Sequence, residues 1–182
     1  MKLRMLLSCL VLVSVVVSAL PAQAPADVPT TEALLSAAIR KARAEDKRIL
    51  VEFRASWCQW CKRLDATLTG PEFSRLIEAN YVLVNLTVQE GDDKKALENP
   101  GAEDLMSEMK GEGLPYVIFM DSNGMRIADS MVMPNHGNIG YPVTPEEIAA
   151  FDGLLEKTAL RMSASERMAI VAYLKKQAET IK

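Results

Sequence analysis

Cysteine is nearly absent from this chain of 182 residues, which encodes 3, at positions 9, 58 and 61. So few thiols exclude a small scaffold held together by several disulfides. The Cys58 and Cys61 pair also falls short of the four ligands that a structural zinc site takes. Histidine is scarcer still, with His136 alone, and aromatic side chains make up 5% of the chain. Basic residues do not outnumber acidic ones: 21 against 24 give a net charge of −3, with no basic patch. That balance argues against nucleic acid as a partner. Internal repeats and low-complexity tracts are lacking, and the one long apolar run, Met5 to Leu20, lies at the N-terminus. What is there, 49% apolar and 25% charged residues, suits one soluble domain with an adequate core.

The N-terminal run is preceded by Lys2 and Arg4 and followed by small residues and prolines. This is the three-part layout of a secretory signal peptide, and the run is short for a stable membrane helix. The sequence therefore predicts a signal over 1–26, a periplasmic or secreted location, and no stable membrane span once the signal is gone. Cleavage after Ala19, Ala24 or Ala26 fits the small-residue rule, and Pro25 weighs against the second. Cys9 lies in the segment to be removed, so the mature chain would keep only Cys58 and Cys61.

Those two thiols stand in Ser56-Trp57-Cys58-Gln59-Trp60-Cys61-Lys62, directly after the apolar run Ile49-Leu50-Val51-Glu52-Phe53. A C-x-x-C that follows a strand and opens a helix is a redox arrangement. The strand end holds the first sulfur at the protein edge, and the free N–H groups and positive dipole end of the helix favour its thiolate. Thiolate is the form that attacks a disulfide. Two intervening residues put Cys61 one helical turn away, within reach of a mixed disulfide on Cys58. A structural staple is the bland alternative, yet closing so short a loop contributes only roughly 2 kcal/mol. A metal-binding pair and a haem attachment are the others; the latter requires His where Lys62 stands.

Elsewhere the periodicities predict a helix from Thr31 to about Asp46, a strand over 48–55, a helix from Cys58 to about Leu68 and another over 71–78. Strands follow over 81–88 and 116–120, separated by a short helix over 102–110. A turn at Asp121-Ser122-Asn123-Gly124 leads into a partner strand over 125–132. A loop over 134–142 precedes Thr144-Pro145-Glu146-Glu147, a capping box, and Ser163-Ala164-Ser165-Glu166 opens a last helix. Met168, Val171, Ala172 and Leu174 read as its apolar side, packed on the domain.

The segment Val51 to Lys62, together with Gly113-Leu114-Pro115-Tyr116 ahead of an apolar strand, resembles the thioredoxin superfamily. It is most similar to exported thioredoxin-like proteins with W-C-x-W-C-K. The resemblance implies an α/β fold, a thioredoxin-like central mixed sheet flanked by helices, over 27–160. The last helix makes an extra C-terminal extension, 161–182. It implies a thiol–disulfide oxidoreductase without a cofactor, acting on substrate proteins with disulfides and drawing on an unidentified thiol electron donor. Cys58 would be the nucleophile and Cys61 the resolving thiol, the two forming the redox disulfide. Glu52, on the face of its strand shared with Leu50 and Arg54, stands where thioredoxins carry a buried Asp. Burial would raise its pKa and let it take the Cys61 proton. Pro115 would be cis, exposing the backbone of Leu114 for strand-like pairing, with Trp57, Trp60 and Leu114 as substrate contacts. The competing reading is a Cu(I) or protein-binding chaperone module using the same thiols, with Met131, Met133 and His136 as soft ligands.

Overall fold

In the computed structural model, residues 28–181 are described, and the signal-peptide expectation falls outside them. Helix α1, Thr31–Glu45, starts where the Thr30 hydroxyl accepts from Ala33 N at 3.2 Å, and it ends on Asp46 in the left-handed region. Strand β1, Arg48–Arg54, runs directly into the C-x-x-C turn and α2, Gln59–Thr69. After the Gly70-Pro71 break come α3, Ser74–Asn80, and β2, Tyr81–Thr87. A 3-10 turn over Asp92–Leu97 leads to α4, Ala102–Glu108. Strands β3, Tyr116–Met120, and β4, Arg126–Asp129, form a hairpin. The chain closes with α5, Pro145–Thr158, and α6, Ala164–Thr180, both opened by complete capping boxes.

The sheet order is β2-β1-β3-β4, with β1 parallel to β2 and antiparallel to β3, so the sheet is mixed. Both faces of β1 are covered. Ile49, Val51 and Phe53 enter one core with Ala38 and Ala42 of α1 and Met106 of α4. Leu50 enters the other core, with Leu64 and Leu68 of α2, Ile77 of α3 and the inner sides of α5 and α6. A strand covered on both faces reads as a continuous apolar run, and that makes Glu52 in its middle conspicuous.

The last two helices are fastened to β2 and to the ends of α1 and α3 by polar contacts. Tyr81 donates its hydroxyl to Thr158 Oγ1 at 2.7 Å, since the Thr158 proton already goes to Leu154 O. Arg161, in the α5–α6 turn, donates to Asp46 O and Asp46 Oδ2, while its backbone N donates to Asn80 Oδ1.

Two expectations need correction. Strand β4 stops at Asp129 rather than reaching Val132, because the next side chain, Ser130, turns in to accept from Val117 N. The buried side of α6 is Ile170, Val171 and Leu174; Met168 is 55% exposed and Ala172 also faces outward. The inner stripe is rotated by about one residue because Arg167 takes the turn facing α5, pairing with Asp152 at 3.2 Å and Glu156 at 2.8 Å. Leu174→Ala is therefore expected to cost about 2–5 kcal/mol in urea unfolding, whereas Met168→Ala stays within about 0.5 kcal/mol.

Candidate functional site

Cys58 is the N-cap of α2: its backbone is extended and its Sγ accepts from Cys61 N at 3.1 Å. The sulfur thus occupies the place where a helix presents its unpaired N–H groups. Cys58 and Cys61 are joined in a disulfide, with S–S 2.06 Å and Cα–Cα 5.3 Å. Cys58 is only 3% exposed and Cys61 is fully buried. Ala55 and Leu114 pack against the pair, and the Leu114–Pro115 peptide bond beside them is cis.

Glu52 lies on the Leu50 side of β1 and is 1% exposed, with its Oε1 lacking any hydrogen-bond partner. Burial pushes its pKa up to about 8; Arg54 opposes the shift and Asp65 adds to it. Arg54 is not spare for Glu52, because it pairs with Asp65 at 3.4 Å.

Two tryptophans flank the disulfide, Trp57 55% exposed and Trp60 42% exposed. Trp57 is held by its indole N–H, which donates to Gln89 O at 2.7 Å. Trp60 stacks on Tyr141 with centroids 6.0 Å apart, and the Arg63 guanidinium sits 5.7 Å from its ring centroid. Trp60, Leu114, Ile139, Gly140, Tyr141 and Val143 line an open cleft on this side. On the Trp57 side, the Glu90 carboxylate accepts from both the N–H and the hydroxyl of Ser56.

Tyr141 and Glu90 escaped the sequence reading. Each acts from a loop without periodicity, and each contact spans a sequence separation that leaves no local signal. The soft-ligand cluster is spread out instead. Met131 packs against the α1 core and Met133 against the α5–α6 core, on opposite sides of the sheet. His136 is exposed and lines a cleft with Met131, Met109, Lys110 and Asp129, of which neither Met133 nor either cysteine is part.

The sequence profile described as thioredoxin-like matches residues 30–122, just over half of the chain. The chain belongs to the thioredoxin-like family. Within curated relatives, it is 31% identical over 88 residues to the thiol:disulfide interchange protein DsbD of Photorhabdus laumondii, covering 47% of this chain and 14% of that one. It is 24% identical over 102 residues to the disulfide bond reductase DsbH of Chlamydia pneumoniae, covering 55% and 61%. The thioredoxin-like chain thus spans less than two thirds of either relative. A disulphide isomerase from Xylella fastidiosa Temecula1 superposes with TM-score 0.47 at 20% identity, covering 87% of this chain and 97% of that one.

The raised pKa of Glu52 has a sign that unfolding can read. From the ordinary carboxyl value of 4.5 up to about 8 the folded thioredoxin-like domain holds a proton that the unfolded chain has released. The contribution of Glu52 to stability must therefore fall as pH rises through that window, and be level below and above it. Glu52→Gln, which carries no charge to bury, is expected to flatten the profile and to exceed the wild type in stability by the most at pH 8 and above. Urea midpoints from pH 4 to 9 measure it; parallel profiles for the two proteins would count against the assignment.

Proposed function

We propose that the chain is an exported thiol–disulfide oxidoreductase that reduces protein disulfides through a Cys58–Cys61 dithiol/disulfide cycle. The observation that carries this reading is the disulfide capping α2, packed against Leu114 of a cis-proline segment. In the reducing half-cycle, Cys58 thiolate attacks one sulfur of a substrate disulfide and expels the other as thiolate, leaving a mixed disulfide. Cys61, deprotonated, then attacks Cys58 Sγ; the second substrate thiolate leaves and the Cys58–Cys61 disulfide forms. Glu52, with its pKa raised to about 8, matches a thiol and so exchanges a proton with Cys61 at little cost in free energy. An external thiol donor restores the dithiol.

The substrate chain lies along the backbone of Leu114 and against Trp57 and Trp60, with Pro115 setting the edge. Reduction is the favoured direction because a buried acid stands in β1, the strand that leads into the pair, and no histidine lies between the cysteines. The disulfide bond reductase named among the relatives agrees with it. Residues 1–26 serve as the export signal, 27–160 as the thioredoxin-like domain and 161–182 as its helical extension. Among the described residues no helix is long and apolar enough to cross a membrane.

Purified protein is expected to reduce insulin with dithiothreitol as donor. Cys58→Ser abolishes the reaction, and Cys61→Ser accumulates the mixed disulfide on Cys58. Equilibration with glutathione buffers gives the direction: a potential close to thioredoxin's, about −270 mV, supports reduction, and one close to about −120 mV reverses it. An activity indifferent to Cys58→Ser would rule the reading out.

A further inference from the structure

Beyond β4 the chain leaves the sheet in a closed loop. Ile139 N donates to Ser130 O at 3.0 Å to seal its base, and Met133 N to Gly137 O at 3.0 Å seals an inner turn. Asn135 and His136, at its tip, have φ of 61° and 59°. Asn138 sits at the base, half-buried. Its Nδ2 donates to Glu112 O and Pro115 O, each at 2.9 Å, with Gly113 O at 3.5 Å. Its Oδ1 accepts from Ser130 Oγ at 2.7 Å and Gly140 N at 3.0 Å. A primary amide offers two N–H bonds and two lone pairs, and both ends are fully used.

The partners of that amide are the two sides of the disulfide cleft. One side is the 112–115 segment, whose Leu114 touches the cysteines. The other is the 139–141 segment, whose Tyr141 stacks on Trp60. The sheet does not hold the first of these: the β1–β3 register begins at Tyr116, and Pro115 has no N–H to contribute. Its carbonyls meet a side chain where a neighbouring strand would otherwise stand.

We propose that Asn138 is a positioning residue for disulfide exchange. Its amide fixes the Leu114–Pro115 backbone against Cys58–Cys61 and ties it to the segment that carries Tyr141, so that a protein substrate meets a preset edge. The inference rests on the proposed function and deepens it. A preset edge removes the entropy cost of ordering the loop as the substrate binds. It also holds the substrate sulfur in line for attack, where misplacement by about 1 Å costs up to roughly a hundredfold. A small thiol reagent that needs no strand pairing does not use that edge.

The test compares insulin with dithiothreitol in the wild type, Asn138→Ala and Ser130→Ala. Asn138→Ala is expected to lower kcat/KM for insulin by about tenfold or more, chiefly through KM. Dithiothreitol should reduce its Cys58–Cys61 disulfide at the wild-type rate. Ser130→Ala keeps both loop-carbonyl bonds but loses the support behind the amide and the acceptor for Val117 N–H, so a lower urea midpoint and a smaller loss of the same kind with insulin are expected; it carries the comparison if Asn138→Ala does not fold. Equal loss with insulin and dithiothreitol, or no loss with insulin, overturns the positioning role. A wild type inactive on insulin would instead remove the functional reading itself, and this one with it.

Discussion

The registers of β1 are the constraint on which the site depends. Its pairing with β2 runs from Arg48↔Tyr81 to Arg54↔Thr87, and its pairing with β3 ends at Phe53↔Tyr116. The backbone groups of the strand are committed on both edges. The chain is released only after Arg54, where it turns into α2 with Cys58 as its cap. The same registers deliver the flanking loops. Pro115 directly precedes the residue paired with Phe53, so the cis-proline segment arrives level with the strand end. On the other edge, Val88 N donates to Arg54 O at 2.8 Å, which sets Gln89 and Glu90 beside Ser56 and Trp57. A one-residue slip in either pairing would turn alternate side chains to the wrong face and part the loops from the sulfurs.

Those pairings also explain why Glu52 is tolerated and what it costs. Its backbone is satisfied on both sides of the sheet, so only the carboxyl lies in a poor environment. Holding a proton is the cheapest response of an unpartnered buried carboxyl, and its raised pKa expresses that. Arg54, two residues on and on the same face, could have neutralised it but is spent on Asp65 of α2. The acid is left proton-bearing inside β1, the strand that leads to a disulfide in which neither sulfur titrates.

The parts of the architecture that repeat were legible in the sequence. Apolar runs marked β1, β2 and β3. The residue types of two capping boxes marked α5 and α6, and a C-x-x-C after a strand marked the cap of α2. The face of α6 was misread because Met168 is apolar yet points outward, while Arg167 faces α5 through two acid partners; hydropathy alone ranks them the other way. Strand β4 was overextended because Val132 and its neighbours suit a strand, but Ser130 ends the ladder with its side chain. Glu90, Asn138 and Tyr141 had no signal. They act through side chain to backbone bonds or ring stacking between loops, and neither leaves a period behind.

Trp60 links these loop contacts to the helix. It lies in the first turn of α2, and 42% of it remains exposed. Arg63, one turn on, approaches the ring, while Tyr141 stacks on it. A stacked aromatic pair adds about 0.5–1.5 kcal/mol beyond the area it buries, enough to favour one rotamer of an exposed side chain. Tyr141 in turn follows Gly140, whose N–H is bound by the same Asn138 amide that holds the Pro115 carbonyl. The helix bearing the cysteines and the segment bearing the cis-proline are therefore joined twice. One joint is direct, through Leu114 on the sulfurs; the other runs from Trp60 to Tyr141 to Asn138. Two independent joints define an orientation as well as a distance, and in-line attack of one sulfur on another requires both.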